Sequence, residues 1–123
     1  MRNLKKIKAW QLADDLVVAV YEPTRSFPRE EQFGLTAQMR RSAISVASNI
    51  AEGSKRRHKP DYLRFLDMAN GSIAELEYQL HLAQRLGYLG EAEYQALAAR
   101  VDEVARTLYG LIQSVEGEAH GNA

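Results

Sequence analysis

The feature that most constrains this chain is the helical spacing of its apolar residues. Near the C-terminal end seven positions alternate in steps of three and four, namely Tyr94, Leu97, Val101, Val104, Leu108, Leu111 and Val115. Helical spacing also occurs in three earlier segments, from Trp10 to Tyr21, from Leu35 to Ile50 and from Leu66 to Ala83. Because this spacing places side chains on one helix face, each segment predicts an amphipathic helix. No segment alternates with period two, so the sequence predicts no strand.

Prolines and glycines stand where these helices have to begin or end. Pro23 predicts the end of the first helix, Pro60 lies in the first turn of the third, and Gly87 predicts its C-terminal cap. Four helices joined by short connections are antiparallel neighbours. We therefore predict an all-α, antiparallel up-down four-helix bundle in one domain, residues 1–115, followed by a flexible polar tail, residues 116–123.

Composition excludes several classes of protein. The 123 residues include no cysteine, which excludes a disulfide scaffold and a cysteine nucleophile. The longest apolar run, Leu16 to Tyr21, is too short to cross a bilayer. The basic N-terminal segment lacks the apolar stretch of a signal peptide, because Asp14 and Asp15 interrupt it. We therefore expect a cytoplasmic protein.

Catalytic and metal-binding patterns are weak. Helical bundles hold di-iron centres with two Glu-x-x-His pairs on facing helices. Here Glu77 and His81 are four residues apart and have no second copy, while His58 and His120 lie in a turn and in the tail. No serine adjoins a His and acid pair, and there is no Gly-rich phosphate loop. We expect no enzyme activity, no cofactor, no metal and no small-molecule substrate.

Several short motifs go beyond the patterning of a generic bundle. They include Phe27-Pro28, Ser-Asn-Ile-Ala-Glu-Gly at residues 48–53, Gly-Ser-x-x-Glu-Leu at residues 71–76, and Leu-Gly-Tyr-Leu at residues 86–89. From Trp10 to Leu111 the chain resembles the four-helix bundle proteins encoded in intervening sequences of bacterial large-subunit ribosomal RNA genes. The same family includes accessory proteins of diversity-generating retroelements.

The resemblance implies more than a fold. It implies a closed homopentamer and, as in the retroelement members, a basic surface that engages a reverse transcriptase and nucleic acid, RNA or DNA. Most members of the family have no assigned activity. The chain departs from the family pattern at Pro23, where the first helix usually continues, and at Ala47, where many members have proline. Both departures concern the shape of the assembly surface.

The motif residues on the second and third helices are expected to pack these helices together. A hairpin near His58 brings residues whose numbers sum to roughly 117 to the same height, so Ser45 faces Ser72. Gly71 and Ser72 are small enough for a close approach of two backbones. Asn49 makes either an internal bond that fixes register or a contact to another subunit. The structural motif set is Arg41, Ser45, Asn49, Glu52, Gly53, Gly71, Ser72 and Glu75.

Charge is unevenly distributed although 16 basic residues balance 16 acidic ones. Residues 1–8 hold four basic side chains and no acidic one, and residues 36–66 hold seven against two. In an up-down bundle the N-terminus and the turn between the second and third helices lie at one end. We therefore predict a positive end that binds nucleic acid through Lys5, Lys6, Lys8, Lys55, Arg56, Arg57 and Lys59.

The positive end either binds nucleic acid or is merely solvated. If it binds, the contact is expected to be with phosphates and to tolerate any sequence, because the turn contains no aromatic residue to stack on bases. Alternatively, the charged turn is merely solvated, and the protein is a structural or protein-interaction scaffold without affinity for nucleic acid.

The first two helices carry apolar residues beyond their main stripes, which predicts a subunit interface. On the first helix these residues lie on the side opposite Trp10 and Val17. The alternative is that they are ordinary scattered surface residues. The predicted interface consists of Leu12, Leu16, Ala19, Ile44, Ala47 and Ala51.

Overall fold

The computed structural model describes residues 2–118, which form four α-helices and no strand. The helices are α1 (Lys8–Thr24), α2 (Leu35–Ser54), α3 (Lys59–Arg85) and α4 (Glu91–Glu116). Short 3₁₀ helices precede α1 and α2, at Leu4–Lys6 and Arg29–Glu31. The predicted all-α, four-helix architecture is confirmed. Of the predicted tail, residues 119–123 lie outside the described residues.

The four helices close into a ring around one apolar core. α1 and α3 each pack against both α2 and α4. Arg2, just before α1, donates a hydrogen bond from Nη1 to the carbonyl of Arg56, just after α2, at 2.6 Å. Lys59, the first residue of α3, donates to the carbonyl of Glu116, the last residue of α4, at 2.9 Å. The N-termini of α1 and α3 therefore meet the C-termini of α2 and α4 at one end of the bundle, called here the basic end.

The core face of α1 differs from the predicted one. The buried apolar residues are Ala9, Ala13, Leu16 and Val20, while Trp10 and Val17 are only half-buried. The expectation that Leu16 is exposed at a subunit interface is therefore wrong, because it is completely buried. The physical reason is that α1 is apolar over more than one face. Its spacing alone fits two rotational settings, and contact with both α2 and α4 selects the setting centred on Leu16.

The end of α1 lies close to the predicted position. Pro23 falls inside the last turn, and the helix ends one residue later at Thr24. A proline this close to the end of a helix removes only one backbone N–H, and the chain leaves the helix one residue later. The Thr24 hydroxyl donates to the carbonyl of Val20 at 2.8 Å, which satisfies a polar group that would otherwise be buried alone.

The turn between α3 and α4 confirms the predicted cap at Gly87. Gly87 has a φ of +79°, in the left-handed region that side chains rarely adopt. The amide of Tyr88 donates to the carbonyl of Ala83 at 2.9 Å, and that of Gly87 donates to Gln84 at 3.0 Å. This pattern is a Schellman cap. The Tyr88 ring packs 5.3 Å from that of Phe27, so the turn is joined to the connection between α1 and α2.

Two tyrosines make the stability of this fold sensitive to alkaline pH. The Tyr88 hydroxyl donates to Glu31 at 3.0 Å, and this bond raises the pKa of Tyr88 above 10.0. Burial of the Tyr62 side chain likewise raises its pKa above 10.0. Raised pKa values mean that the folded state holds these protons more tightly, so their contribution is complete below pH 10 and is lost as pH rises further. We expect the free energy of unfolding, measured with urea, to fall more steeply above pH 10 in the wild type than in the Tyr62→Phe, Tyr88→Phe double variant. Equal slopes would contradict this coupling.

Candidate nucleic-acid interface

A groove of about 580 Å³ opens at the basic end, between the N-terminal segment and the turn that joins α2 to α3. It combines cationic side chains with the indole of the single tryptophan of the chain. The lining residues are Arg2, Asn3, Leu4, Lys5, Trp10 and Lys55.

Local hydrogen bonds place the N-terminal segment beside this groove. Asn3 caps the 3₁₀ helix, since its side chain accepts a bond from the amide of Lys5 at 3.2 Å. The side-chain amide of Gln11 donates to the carbonyl of Lys5 at 2.6 Å and so fastens the segment to α1. The Arg2 guanidinium lies 3.9 Å above the centre of the Tyr62 ring, a cation–π contact to α3. The N-terminal segment is thus attached to α1, to α3 and, through the bond of Arg2 to Arg56, to the turn between α2 and α3.

The cations predicted for this end have no carboxylate partner in the described range. Within residues 2–118 the only ion pairs are Glu22–Arg25 and Asp102–Arg106, both away from the basic end. The guanidinium groups of Arg56 and Arg64 lie 4.5 and 4.9 Å from the centre of the Phe65 ring, which are cation–π contacts. An unpaired cation keeps its attraction for an external anion. Among the predicted cations, those without a carboxylate partner in this range are Lys5, Lys6, Lys8, Lys55, Arg56, Arg57 and Lys59.

Lys59 makes contacts within the chain that the sequence analysis did not predict. Its ammonium donates to the backbone carbonyls of Glu116 and Glu118, each at 2.9 Å. The last carbonyls of a helix have no partner within the helix and carry its negative dipole end, so a lysine is stabilising there. Lys59 therefore caps α4 and is the least available of the predicted cations. The acidic side chains of Glu116 and Glu118 come to this end with it and offset part of its charge.

Trp10 is a functional candidate that the sequence prediction missed. The expectation considered aromatic residues in the turn alone, whereas the antiparallel packing of α1 and α2 brings Trp10 beside Lys55. The position of Trp10, two residues after Lys8 in a helix that starts at the basic end, is the pattern that could have indicated it. A half-buried indole beside cations is the arrangement on which single-stranded bases stack.

The Ser45 and Ser72 pair confirms the predicted register of α2 and α3. Their hydroxyls lie 2.8 Å apart, and the Asn49 amide donates to the Ser45 carbonyl at 2.9 Å and hydroxyl at 3.0 Å. Asn49 therefore makes the internal bond that was one of its two predicted roles. A polar network between helices is satisfied in one register only, so it fixes their relative height.

Gly53 provides the close approach that was predicted for Gly71. A Cβ atom at position 53 would lie 2.8 Å from Cβ of Phe65 and 3.0 Å from Cδ1 of Tyr62, so only glycine fits there. At Gly71 a Cβ would meet nothing within 4 Å, because Gly71 is exposed on the outer side of α3. The expectation that Gly71 lies between α2 and α3 is wrong. The close approach instead lies nearer the basic end, where the side chains of α3 are larger.

The charged motif residues stay at the surface. Arg41, Glu52 and Glu75 are exposed, and none of them forms an ion pair within the part of the chain that the structure describes. Their contribution to the contact between α2 and α3 is therefore small, and Ser45, Gly53 and Ser72 of the motif set supply that contact.

The predicted subunit interface divides into two separate surfaces. Ala19 lines a cleft with Leu97 of α4, and Leu12 lies on the same side of α1 because it is seven residues earlier. Ile44 instead lines a groove with Tyr21 of α1. The α1 residues of the predicted set therefore lie towards α4, whereas Ile44 of α2 lies on the other side of α1, beside Tyr21. Ala47 and Ala51 are half-buried on α2.

The side of α2 that includes Ile44 carries a further apolar residue. Phe33, just before α2, is 90% exposed, and Ile44 is 41% exposed. Both line the groove that also contains Ala37 and Tyr21. Exposed apolar residues that lie together commonly mark an association surface. The outer face of α2, defined as Phe33, Ala37 and Ile44, is therefore the candidate for contact between chains.

From residue 2 to residue 118 there is no group of three or more His, Asp or Glu side chains that could hold a metal ion. Within residues 2–118 no helix is both long and apolar enough to cross a membrane.

Comparison with known proteins identifies the family. The sequence matches the family described as "23S rRNA-intervening sequence protein" over residues 5–110. A solved structure from Bacteroides thetaiotaomicron, of a protein with unknown function from the S23 ribosomal protein family, is similar in fold, with a TM-score of 0.79 at 23% identity. The similarity covers 85% of this chain and 95% of that chain. No curated protein matches the sequence. The chain therefore belongs to the 23S rRNA-intervening sequence protein family.

Proposed function

We propose that this protein is a non-enzymatic accessory protein that binds single-stranded nucleic acid at its basic end. The observation that carries the proposal is the groove in which Trp10 lies among Arg2, Lys5 and Lys55. A cationic groove with a stacking aromatic is the arrangement that binds single strands without reading sequence. We further propose, from the family resemblance, that several chains assemble into a ring, which would repeat the groove in each subunit.

Electrostatics sets the affinity of such a site. Each phosphate that a cation neutralises releases condensed counterions, so binding weakens as salt concentration rises. Four further cations of the basic end are exposed and do not line the groove, and they add to its positive charge: Lys6, Lys8, Arg56 and Arg57. No carboxylate within residues 2–118 pairs with them. Stacking on Trp10 adds affinity for bases that are already unpaired, which favours a single strand over a duplex.

The fluorescence of Trp10 provides a direct test, because it is the only tryptophan. We expect a single-stranded oligonucleotide to quench this fluorescence in a saturable way at low salt. In the Lys55→Gln, Arg57→Gln double variant the slope of log K against log salt is expected to become shallower by about 0.7 for each phosphate that the variant no longer neutralises. Both side chains are exposed, so the double variant should fold as the wild type does.

A matched control removes two positive charges elsewhere. Arg85 and Arg100 are exposed and lie towards the other end of the bundle. The Arg85→Gln, Arg100→Gln double variant has the same net charge as the test variant and is expected to keep the wild-type salt slope. Equal slopes in the test and control variants, or no quenching at low salt, would refute the proposal.

A scaffold without affinity for nucleic acid is the second candidate function. The observation in its favour is the outer face of α2, on which Phe33 and Ile44 are exposed. A chain that forms an oligomer by light scattering, yet leaves Trp10 fluorescence unchanged by oligonucleotide at low salt, would favour the scaffold.

A further inference from the structure

A second cationic site lies at the opposite end of the bundle, where α1 ends and α2 begins. It is a surface cavity of about 460 Å³, and three of its eight lining residues are arginines. It shares no residue with the groove at the basic end. The lining residues are Thr24, Arg25, Phe27, Pro28, Arg29, Gln32, Thr36 and Arg40.

Arg40 is held rigidly in this cavity. Its Nε donates to the Thr24 hydroxyl at 2.9 Å, and its Nη2 lies 3.4 Å from the carbonyl of Tyr21. Its guanidinium also lies 4.3 Å above the centre of the Tyr21 ring. A guanidinium carries five N–H donors, so three of those on Arg40 have no partner among residues 2–118. A half-buried, oriented arginine with free donors loses little entropy when it binds an oxyanion.

The charge around the cavity is positive. Arg25 and Arg29 are exposed at its rim, and no acidic residue lines it. Glu22 pairs with Arg25 at 3.1 Å, but both side chains are well exposed, so this pair is weak and easily exchanged for another anion.

Thr36 supplies an independent indication of a ligand. Its hydroxyl oxygen is buried and has no hydrogen-bond partner within the described residues, and Thr36 is one of the residues that line the cavity. The Thr24 hydroxyl, by contrast, accepts from Arg40 and donates to Val20. Buried polar atoms without a partner are rare and costly in folded proteins. Rotation of the Thr36 side chain towards the cavity would bring its hydroxyl within reach of a ligand oxygen and give it the partner that the protein does not.

We infer that this cavity binds the phosphoryl group of a phosphate monoester. A phosphoryl dianion offers three terminal oxygens to the three guanidinium groups and matches their charge better than a carboxylate does. The volume of about 460 Å³ is within the range of pockets for small organic ligands and exceeds the needs of an isolated ion. The cavity therefore leaves room for the organic part of the ester.

Nuclear magnetic resonance can locate this binding. We expect titration of the ¹⁵N-labelled protein with glycerol 3-phosphate, at constant ionic strength set with chloride, to give saturable shifts of backbone amides at Arg29, Gln32, Thr36 and Arg40. The Arg25→Gln, Arg29→Gln double variant is expected to bind at least about tenfold more weakly, since it loses two charge-assisted hydrogen bonds to the phosphoryl group. Thr36→Val keeps the shape of the side chain and is expected to weaken binding several-fold. Inorganic phosphate, titrated in parallel, is expected to shift the same amides with lower affinity.

The Arg85→Gln, Arg100→Gln variant is again the control of equal charge, and it should bind the monoester as the wild type does. Three results would overturn the inference: no saturable shift, shifts confined to the groove around Trp10, or equal affinity in the Arg25, Arg29 double variant and the wild type. The absence of a saturable shift, or equal affinity in the double variant, leaves the nucleic-acid proposal standing because the two sites have no residue in common. Shifts confined to the groove around Trp10 would assign anion binding to that groove alone.

Discussion

Replacement of Leu16 with alanine is expected to lower the free energy of unfolding by about 2–5 kcal/mol. Leu16 is completely buried at the centre of the core face of α1, with Ala13 and Val20 on either side. Truncation removes the transfer free energy of three carbon atoms and leaves a cavity, because α1 is held by both α2 and α4 and cannot collapse onto the gap. Urea unfolding followed by circular dichroism measures the change.

Val18, two residues further along α1, provides the matched control. It is 63% exposed, so Val18→Ala is expected to change the free energy of unfolding by less than about 0.5 kcal/mol. The spacing of apolar residues alone predicts Leu16 at a subunit interface. If that prediction were correct, Leu16→Ala would alter the mass of the assembly and leave the unfolding of the separate chain nearly unchanged.

The second large effect is expected when glycine is replaced with alanine at position 53 and, in a separate variant, at position 71. Gly53→Ala would place a Cβ 2.8 Å from that of Phe65, so α2 and α3 must move apart at their closest approach. Alanine favours a helix over glycine by about 1 kcal/mol, and overpacking costs about 1–3 kcal/mol, so we expect a net loss of up to about 2 kcal/mol. At Gly71 the same change meets no atom within 4 Å, and we expect a gain of about 0.5–1 kcal/mol.

The opposite signs make this pair informative. Both glycines lie in α-helices and both belong to the predicted motif set, so helix propensity favours alanine at both sites, less so at Gly53 in the last turn of α2. Only the contact of Gly53 with α3 reverses the sign of the expected change. A gain of stability at both positions would show that α2 and α3 are further apart than the structure places them.

The register between α2 and α3 could be predicted because it depends on local information. The hairpin is short and both helices have one clear apolar stripe, so the length of the turn fixes which residues face each other. The pairing of Ser45 with Ser72 follows directly. The identity of the glycine at the close approach does not follow, because it depends on the size of Phe65 and Tyr62 across the interface. A spacing rule contains no information about volume.

The candidate sites show the same division. The positive charge of the basic end is present in the sequence as two basic segments, and an antiparallel bundle must bring them together. The presence of Trp10 in the groove and the use of Lys59 as a cap on α4 involve residues that are far apart in sequence. The arginine cavity likewise depends on Thr24 orienting Arg40, which is far along the chain, so no local motif indicates it.

The sequence by itself determined the four helices, their antiparallel order, the cap at Gly87 and the uneven distribution of charge, because each depends on spacing or on the conformational preference of single residues. The tertiary structure decided which face of α1 is buried, where glycine is indispensable, and which cations remain free to bind a ligand. These properties depend on the packing of α1 between two neighbours and on hydrogen bonds between distant residues, and neither is contained in the periodicity of one helix.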